Sequence, residues 1–286
     1  MRNRFLIFGL GYSAKAIAAR VEAAGFEVIA TGRDGALSFD DAGSVRVALA
    51  DAGHVLSSVP PAGDGSDPVL ETYGDALAGK WLGYLSSTGV YGDTGGAWVD
   101  ETAPTGTGRR TARADCDAAW MARGARVFRL PGIYGSGRSA FERVAEGKAH
   151  RIDLPGQVFS RVHVDDIASG VMAALGAPPG AYNLADDEPA SQNAVIEEAC
   201  RLMGHAPPPL QTLEQAQLSP MARGFYAENR RVANGKARRV LAWAPAFPTY
   251  REGLRAIHSS PLAGRIIKPR APWPPPAHHP RANPTR

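Results

Sequence analysis

One run constrains this chain more than any other: Phe5-Leu6-Ile7-Phe8, then Gly9-Leu10-Gly11-Tyr12-Ser13-Ala14, then a stripe of Ala14, Ile17, Ala18 and Val21 at helical spacing. Four consecutive apolar residues suit a strand buried on both faces. The stripe suits a helix packed on that strand, and Gly25 stands where its C-cap belongs. The turn between them reads G-x-G-x-x-[G/A]. A glycine at 9 permits the tight turn, and one at 11 puts no side chain between the backbone and an anion. A small residue at 14 lets the helix pack against the strand. The free N–H groups of Tyr12, Ser13 and Ala14 at the helix start then favour a pyrophosphate. With a second strand following at Val28-Ile29-Ala30, the pattern is that of a dinucleotide-binding unit.

The alternation continues. A helix is expected over Val45–Ala50. Strands are expected over His54–Val59, which Pro60-Pro61 stops, then Trp81–Ser86 and Arg126–Leu130. Strands alternating with helices predict an α/β fold, a Rossmann-type doubly wound parallel sheet. From about Gly180 the pattern loosens into helices at Asn193–Met203, Lys236–Leu241 and Tyr250–Ile257, with a loop at His205–Leu210. The reading is therefore one unit over 1–258 with a small, discontinuous C-terminal substrate-binding lobe drawn mainly from 180–258. Residues 259–286 read as a disordered tail, since eight prolines fall among the last 26 residues and no apolar period remains.

Charge narrows the partners. The net charge is +4, but five basic residues and no acid lie after position 260, so residues 1–260 carry −1. A near-neutral folded part lacks the basic face a nucleic-acid binder needs. No run of 18 apolar residues suggests a membrane span. The apolar Phe5–Phe8 behind two arginines breaks at once into glycines and Lys15, unlike a signal peptide. Two cysteines, Cys116 and Cys200, cannot build a disulfide framework or a four-thiolate zinc site, which fits the cytoplasm. The expected partner is a small molecule, without metal.

The end of the second strand bears on which dinucleotide binds. NAD-selective sites usually place Asp or Glu there for the ribose hydroxyls. Here Thr31-Gly32-Arg33 leaves space and offers a guanidinium to a 2′-phosphate, favouring NADP. Asp34 keeps NAD open as an alternative. Ser57, Ser58 and Val59, at another strand end, are expected beside the adenosine or ribose.

Four further segments resemble the extended short-chain dehydrogenases/reductases, also called the NAD-dependent epimerase/dehydratase family. They are Ser86-Ser87-Thr88-Gly89-Val90-Tyr91-Gly92, Arg129-Leu130-Pro131-Gly132-Ile133-Tyr134-Gly135, Arg161-Val162-His163-Val164-Asp165-Asp166-Ile167-Ala168 and Tyr182-Asn183-Leu184-Ala185. They fall in family order. The resemblance implies that Ser87 hydrogen-bonds a substrate oxygen, that Pro131 and Ile133 lie against the nicotinamide, and that Arg161 and Arg138 contact substrate. It also implies an oxidoreductase or epimerase acting on a small molecule such as a sugar or nucleotide-sugar.

The resemblance has a gap. The family's Tyr-x-x-x-Lys, where a tyrosinate moves the proton and the lysine lowers its pKa, falls on Pro104–Ala118, which contains neither residue. Arg109 and Arg113 are four apart there, but an arginine does not carry the proton. The chain thus resembles an atypical subgroup, with Tyr134 first and Tyr91 second as substitute acids. The alternative is a dinucleotide sensor without turnover. The N-terminal segment alone also resembles the β-hydroxyacid dehydrogenases, but segments 86–92 and 129–135 have no place in that family.

Overall fold

A computed structural model describes residues 3–109 and 111–260. The tail reading begins at 259; from 261 onward it lies outside them, and Ser259 itself closes the last helix rather than opening a disordered tail. The first half runs β1 (Arg4–Phe8), α1 (Tyr12–Ala23), β2 (Glu27–Ala30), α2 (Ala42–Asp51), β3 (His54–Ser57), α3 (Pro68–Tyr73), β4 (Trp81–Ser87), β5 (Trp98–Val99) and α4 (Thr111–Ala122). The second half continues β6 (Arg126–Leu130), β7 (Gly132–Tyr134), α5 (Ala140–Ala145), β8 (Arg151–Ile152), β9 (Arg161–His163), α6 (Val164–Ala173) and β10 (Gly180–Asn183). After these come α7 (Gln192–Met203), β11 (Leu210–Gln211), α8 (Pro220–Tyr226), β12 (Arg231–Val232), α9 (Gly235–Leu241) and α10 (Tyr250–Ser259).

Six strands form one sheet in the order β10-β6-β4-β3-β1-β2, and every pairing in it is parallel. The apolar runs read from the sequence are continuous because both faces are covered. Phe5 and Ile7 enter one core with α1, α6 and α9, while Leu6 and Phe8 enter the other with α2, α3 and α4. The same alternation splits Leu56 from Val55 and Phe128 from Val127. The chain leaves β1 towards β2 and then crosses back to β3 on the far side of β1. This switch point sits at the carboxyl ends of β1 and β3, where open α/β sheets bind ligands. An outer strand beyond β2 is reduced to one bridge, Thr31 with Leu37.

The lobe is stitched from three two-stranded pairs, β7 with β9, β8 with β11 and β5 with β12. Its core joins Tyr134, Phe141 and Ala149 to Ile196, Cys200, Tyr250, Leu254 and Ile257. It therefore draws on residues 134–149 as well as the C-terminal third. Leu210, the last residue of the expected loop, instead joins Gln211 in β11 and pairs with β8.

Candidate functional site

The glycine turn is held open by its surroundings. Gly9 has φ +82°, a conformation that favours glycine. Its N–H donates to Thr31 Oγ1 at 3.2 Å, and Ser58 Oγ donates to its carbonyl. Leu10 N–H donates to the Thr31 carbonyl at 2.9 Å. Thr31 was expected to leave room for a ligand. Instead its side chain is buried and braces the turn. Gly11 is the N-cap of α1 and cannot cap it with a side chain, and no acid lies in the first turn. In contrast, α2, α3, α5, α6, α7, α8 and α10 each carry a side-chain cap. A Cβ built on Gly11 meets nothing within 4 Å. A helix start with free N–H groups facing open space is what a pyrophosphate requires, so these residues fit a dinucleotide. Ser13 and Ala14 are buried behind it.

Arg33 is exposed at the end of β2, and its guanidinium makes no hydrogen bond or ion pair among the described residues. Its neighbour Asp34 is engaged by Lys15 Nζ at 2.5 Å, which holds its carboxyl below the usual range, first through that hydrogen bond and then by charge. Of the two candidates for the ribose end, the guanidinium is the one left unpaired. Ser57 is buried with its hydroxyl 3.4 Å from Val59 N–H, and Val59 packs on the core below.

On the other side of β3, β4 delivers Ser86 and Ser87 to the carboxyl edge. Ser87 Oγ accepts from Gly89 N–H at 3.1 Å, capping the short turn Thr88–Tyr91 and leaving its own hydrogen free to donate. Ser86 donates to Asp117 Oδ2 at 2.7 Å. Asp117 takes both arms of Arg129, at 3.0 and 2.8 Å, and Arg129 donates to Tyr91 Oη at 3.0 Å. Tyr91 donates in turn to Asn183 Oδ1 at 2.8 Å. Asp117 and Arg129 are 1% and 3% exposed in their side chains, so the pair is fully withdrawn from water. Burial pushes the Tyr91 phenol up. Its hydroxyl is committed on both sides, and the structure gives the second substitute acid no free position.

Tyr134, the first substitute acid, points into the lobe. Its ring meets His163 edge-on at 5.2 Å, and its hydroxyl is buried without a hydrogen-bond partner. Gly253 of α10 makes room for it, since a Cβ there would collide with Tyr134 Oη. Burial pushes this phenol far up, with Asp186 and Asp166 adding to the shift. Pro131 and Ile133 are half-buried, and Ile133 packs against the core shared with α1 and α6.

Arg161 is turned inward. Its guanidinium donates to the carbonyls of Phe159 and Ala190, both at 2.8 Å, and to Gln192 Oε1 at 3.2 Å. These bonds tie β9 to the loop before α7 and take up the groups expected to meet substrate. Asp186 N–H donates to Arg161 O, and both Asp186 carboxylate oxygens are buried and unpartnered. Burial pushes the Asp186 pKa up to about 8. His163 Nδ1 accepts from Asp165 N–H, which leaves the ring hydrogen on Nε2. Arg138 sits exposed over the Tyr12 ring, 5.6 Å from its centroid, on the glycine-turn side of the molecule.

Where the family has its tyrosine and lysine, Arg109 donates from its main-chain N–H and from Nε to Glu228 Oε1, at 3.1 and 3.3 Å. Arg230 holds the other oxygen at 2.9 Å. Arg113 donates to Tyr84 Oη at 2.8 Å and to the Leu85 carbonyl. The sequence did not single out Asp117, Glu228 or Asp186. Asp117 meets Arg129 12 positions away and Glu228 meets Arg109 119 positions away, while the Asp186 carboxylate has no partner, and no local pattern marks them.

No family model matches the sequence. A functionally unknown conserved protein from Silicibacter pomeroyi is 40% identical and superposes with a TM-score of 0.80 over 90% of this chain and 98% of that one. A human epimerase family protein crystallised with NADPH is 17% identical, with a TM-score of 0.71 over 89% and 98% of the two chains, a likeness of fold. A Streptomyces 3-diazoavenalumate denitrifying reductase is 34% identical over 140 residues, which is 45% of each protein. The fold is that of the extended short-chain dehydrogenases/reductases, the NAD-dependent epimerase/dehydratase class. The chain belongs to one family with the Silicibacter pomeroyi protein.

Proposed function

We propose that the protein is an NADP(H)-linked oxidoreductase acting on a small molecule without the tyrosine–lysine acid/base of its fold class. The observation that carries this is the pairing of an open, uncapped α1 start at Gly11 with an unpaired Arg33, while Asp34 is neutralised by Lys15. NADP would rest its pyrophosphate on the N–H groups that open α1 and its 2′-phosphate on Arg33. When bound, it would supply the hydride. Ser87, with a hydroxyl hydrogen free to donate, would hold a polar atom of the substrate.

Of the two substitute tyrosines, Tyr91 has its hydroxyl committed to Arg129 and Asn183, and Tyr134 buries its hydroxyl in the lobe. The reading therefore favours an acceptor that does not draw a proton from a protein phenol. The Streptomyces relative is named as a reductase that removes nitrogen from a diazo compound. Hydride delivered to a diazonium carbon releases dinitrogen, and no oxygen has to be protonated. Supply of the proton by water to a carbonyl acceptor meets the same requirement. A second reading, a dinucleotide sensor, is favoured by the way Tyr91, Arg129 and Asp117 spend their polar atoms on one another.

The test is titration with NADPH and NADH, followed by NADPH oxidation with carbonyl, nucleotide-sugar and aryl-diazonium panels. Arg33→Asp is expected to weaken NADPH about tenfold or more, the scale of a lost charge-assisted contact, and to spare NADH. Ser87→Ala is expected to lower turnover with NADPH affinity intact. Tighter NADH binding by the wild type would overturn the cofactor assignment. Firm NADPH binding with no turnover on any panel would favour the sensor.

A further inference from the structure

We propose that Arg138 is a pyrophosphate ligand, delivered to the glycine turn by a latch between Tyr12 and the loop after β7. The inference rests on the dinucleotide reading above and assigns a residue that the family resemblance places on the substrate side.

Tyr12 is the first residue of α1, next to the open N-cap Gly11. Its hydroxyl donates to the Ser136 carbonyl at 3.0 Å, across 124 positions of sequence. Burial pushes its pKa up to about 12, so the phenol keeps its hydrogen and the latch stays closed through the neutral range. The loop itself is a tight turn. Gly135 and Arg138 bridge each other, with N–H to carbonyl distances of 3.2 and 3.0 Å. Fixing Ser136 to Tyr12 therefore fixes Arg138 as well. The guanidinium lies over the Tyr12 ring at 5.6 Å, held by cation–π attraction.

Arg138 is exposed and makes no side-chain hydrogen bond or ion pair among the described residues. It is a stacked, preorganised cation with its donors unspent, beside a helix start whose N–H groups no side chain caps. A guanidinium matches phosphate oxygens in a planar fork and loses little freedom when it is already stacked. The same turn leads into α5, whose start is sealed by its own capping box, Ser139 with Glu142. The α5 start therefore does not compete for the anion.

Arg138 would read the group that NADP and NAD share, whereas Arg33 would read the group that distinguishes them. The experiment is calorimetric titration of wild type, Arg138→Ala, Arg138→Lys and Tyr12→Phe with NADPH, NADH and ADP-ribose at two ionic strengths. Arg138→Ala is expected to weaken all three by the same factor, about tenfold, and to flatten the salt dependence. Arg138→Lys should recover only part, because a point charge replaces a fork. Tyr12→Phe keeps the ring but opens the latch, and should weaken all three by a smaller common factor. Unchanged affinities in Arg138→Ala, or a loss confined to one nucleotide, would overturn the inference while wild-type binding leaves the cofactor reading standing. Failure of the wild type to bind any of the three overturns that reading and this inference together.

Discussion

At the carboxyl ends of β1 and β2 the polar groups are main-chain N–H groups that no side chain caps, flanked by two guanidinium groups, Arg33 and Arg138, without hydrogen-bond partners among the described residues. Across β3, at the ends of β4 and β6, the polar groups are side chains, and they are bound to one another. Ser86, Asp117, Arg129, Tyr91 and Asn183 form one chain of hydrogen bonds in the dry interior. The first region suits a ligand of fixed shape and charge, because backbone donors at a helix start are rigid and favour anions. The second holds its own geometry. A buried ion pair repays its desolvation only when its remaining donors and acceptors are satisfied, and here Ser86 and Tyr91 supply those partners. The same sheet edge thus carries an open, anion-favouring helix start on one side of β3 and a self-satisfied structural network on the other.

The difference can be broken most severely at Arg129. Arg129→Ala strands Asp117 as a buried charge, and a loss of about 3–5 kcal/mol is expected by thermal or urea unfolding. Arg129→Lys should lose less but remain destabilised, since a lysine cannot bind both carboxylate oxygens as a fork. A near-neutral Arg129→Ala would show that the network is decoration.

Asp186 gives a pH-dependent contrast. Its folded pKa of about 8 lies above the unfolded value, so the folded state binds the extra proton. Stability from this group is therefore full below pH of about 4 and lost as pH rises towards 8. Asp186→Asn should raise the Tm at pH 8 and change it little at pH 4. A gain that is the same at both values would mean that the carboxyl is already ionised in the fold.

Gly11→Ala sharpens the open side. Its φ is −82°, which any residue adopts, and a Cβ there meets open space, so the Tm should hold while NADPH binding falls at least about tenfold as a methyl group enters the phosphate cradle. Equal loss of both would show that the turn is structural only.

The smallest effect is expected at Tyr134→Phe. The hydroxyl has no partner to lose, so stability should stay level or rise by up to about 1 kcal/mol, and NADPH affinity and turnover should not change. Loss of turnover alone would restore Tyr134 as the acid.

The sequence by itself determined the glycine turn, the strand–helix alternation and the doubly covered sheet. These rest on local periodicities, and a residue's neighbours at i+2 or i+4 decide which face it takes. It also showed the missing Tyr-x-x-x-Lys, because an absence needs no coordinates. Only the tertiary structure decided what each polar side chain does. Tyr91 meets Asn183 across 92 positions, Arg109 meets Glu228 across 119, and Arg161 turns inward to Ala190 across 29. Tyr134 and Tyr91 carry the same hydroxyl, and each follows the end of a strand of the six-stranded sheet, β6 and β4, by a few residues, yet one is unpaired against Gly253 and the other is locked between an arginine and an asparagine. A hydroxyl takes whichever partner the packed fold brings within about 3 Å, and that distance is set by elements far apart along the chain.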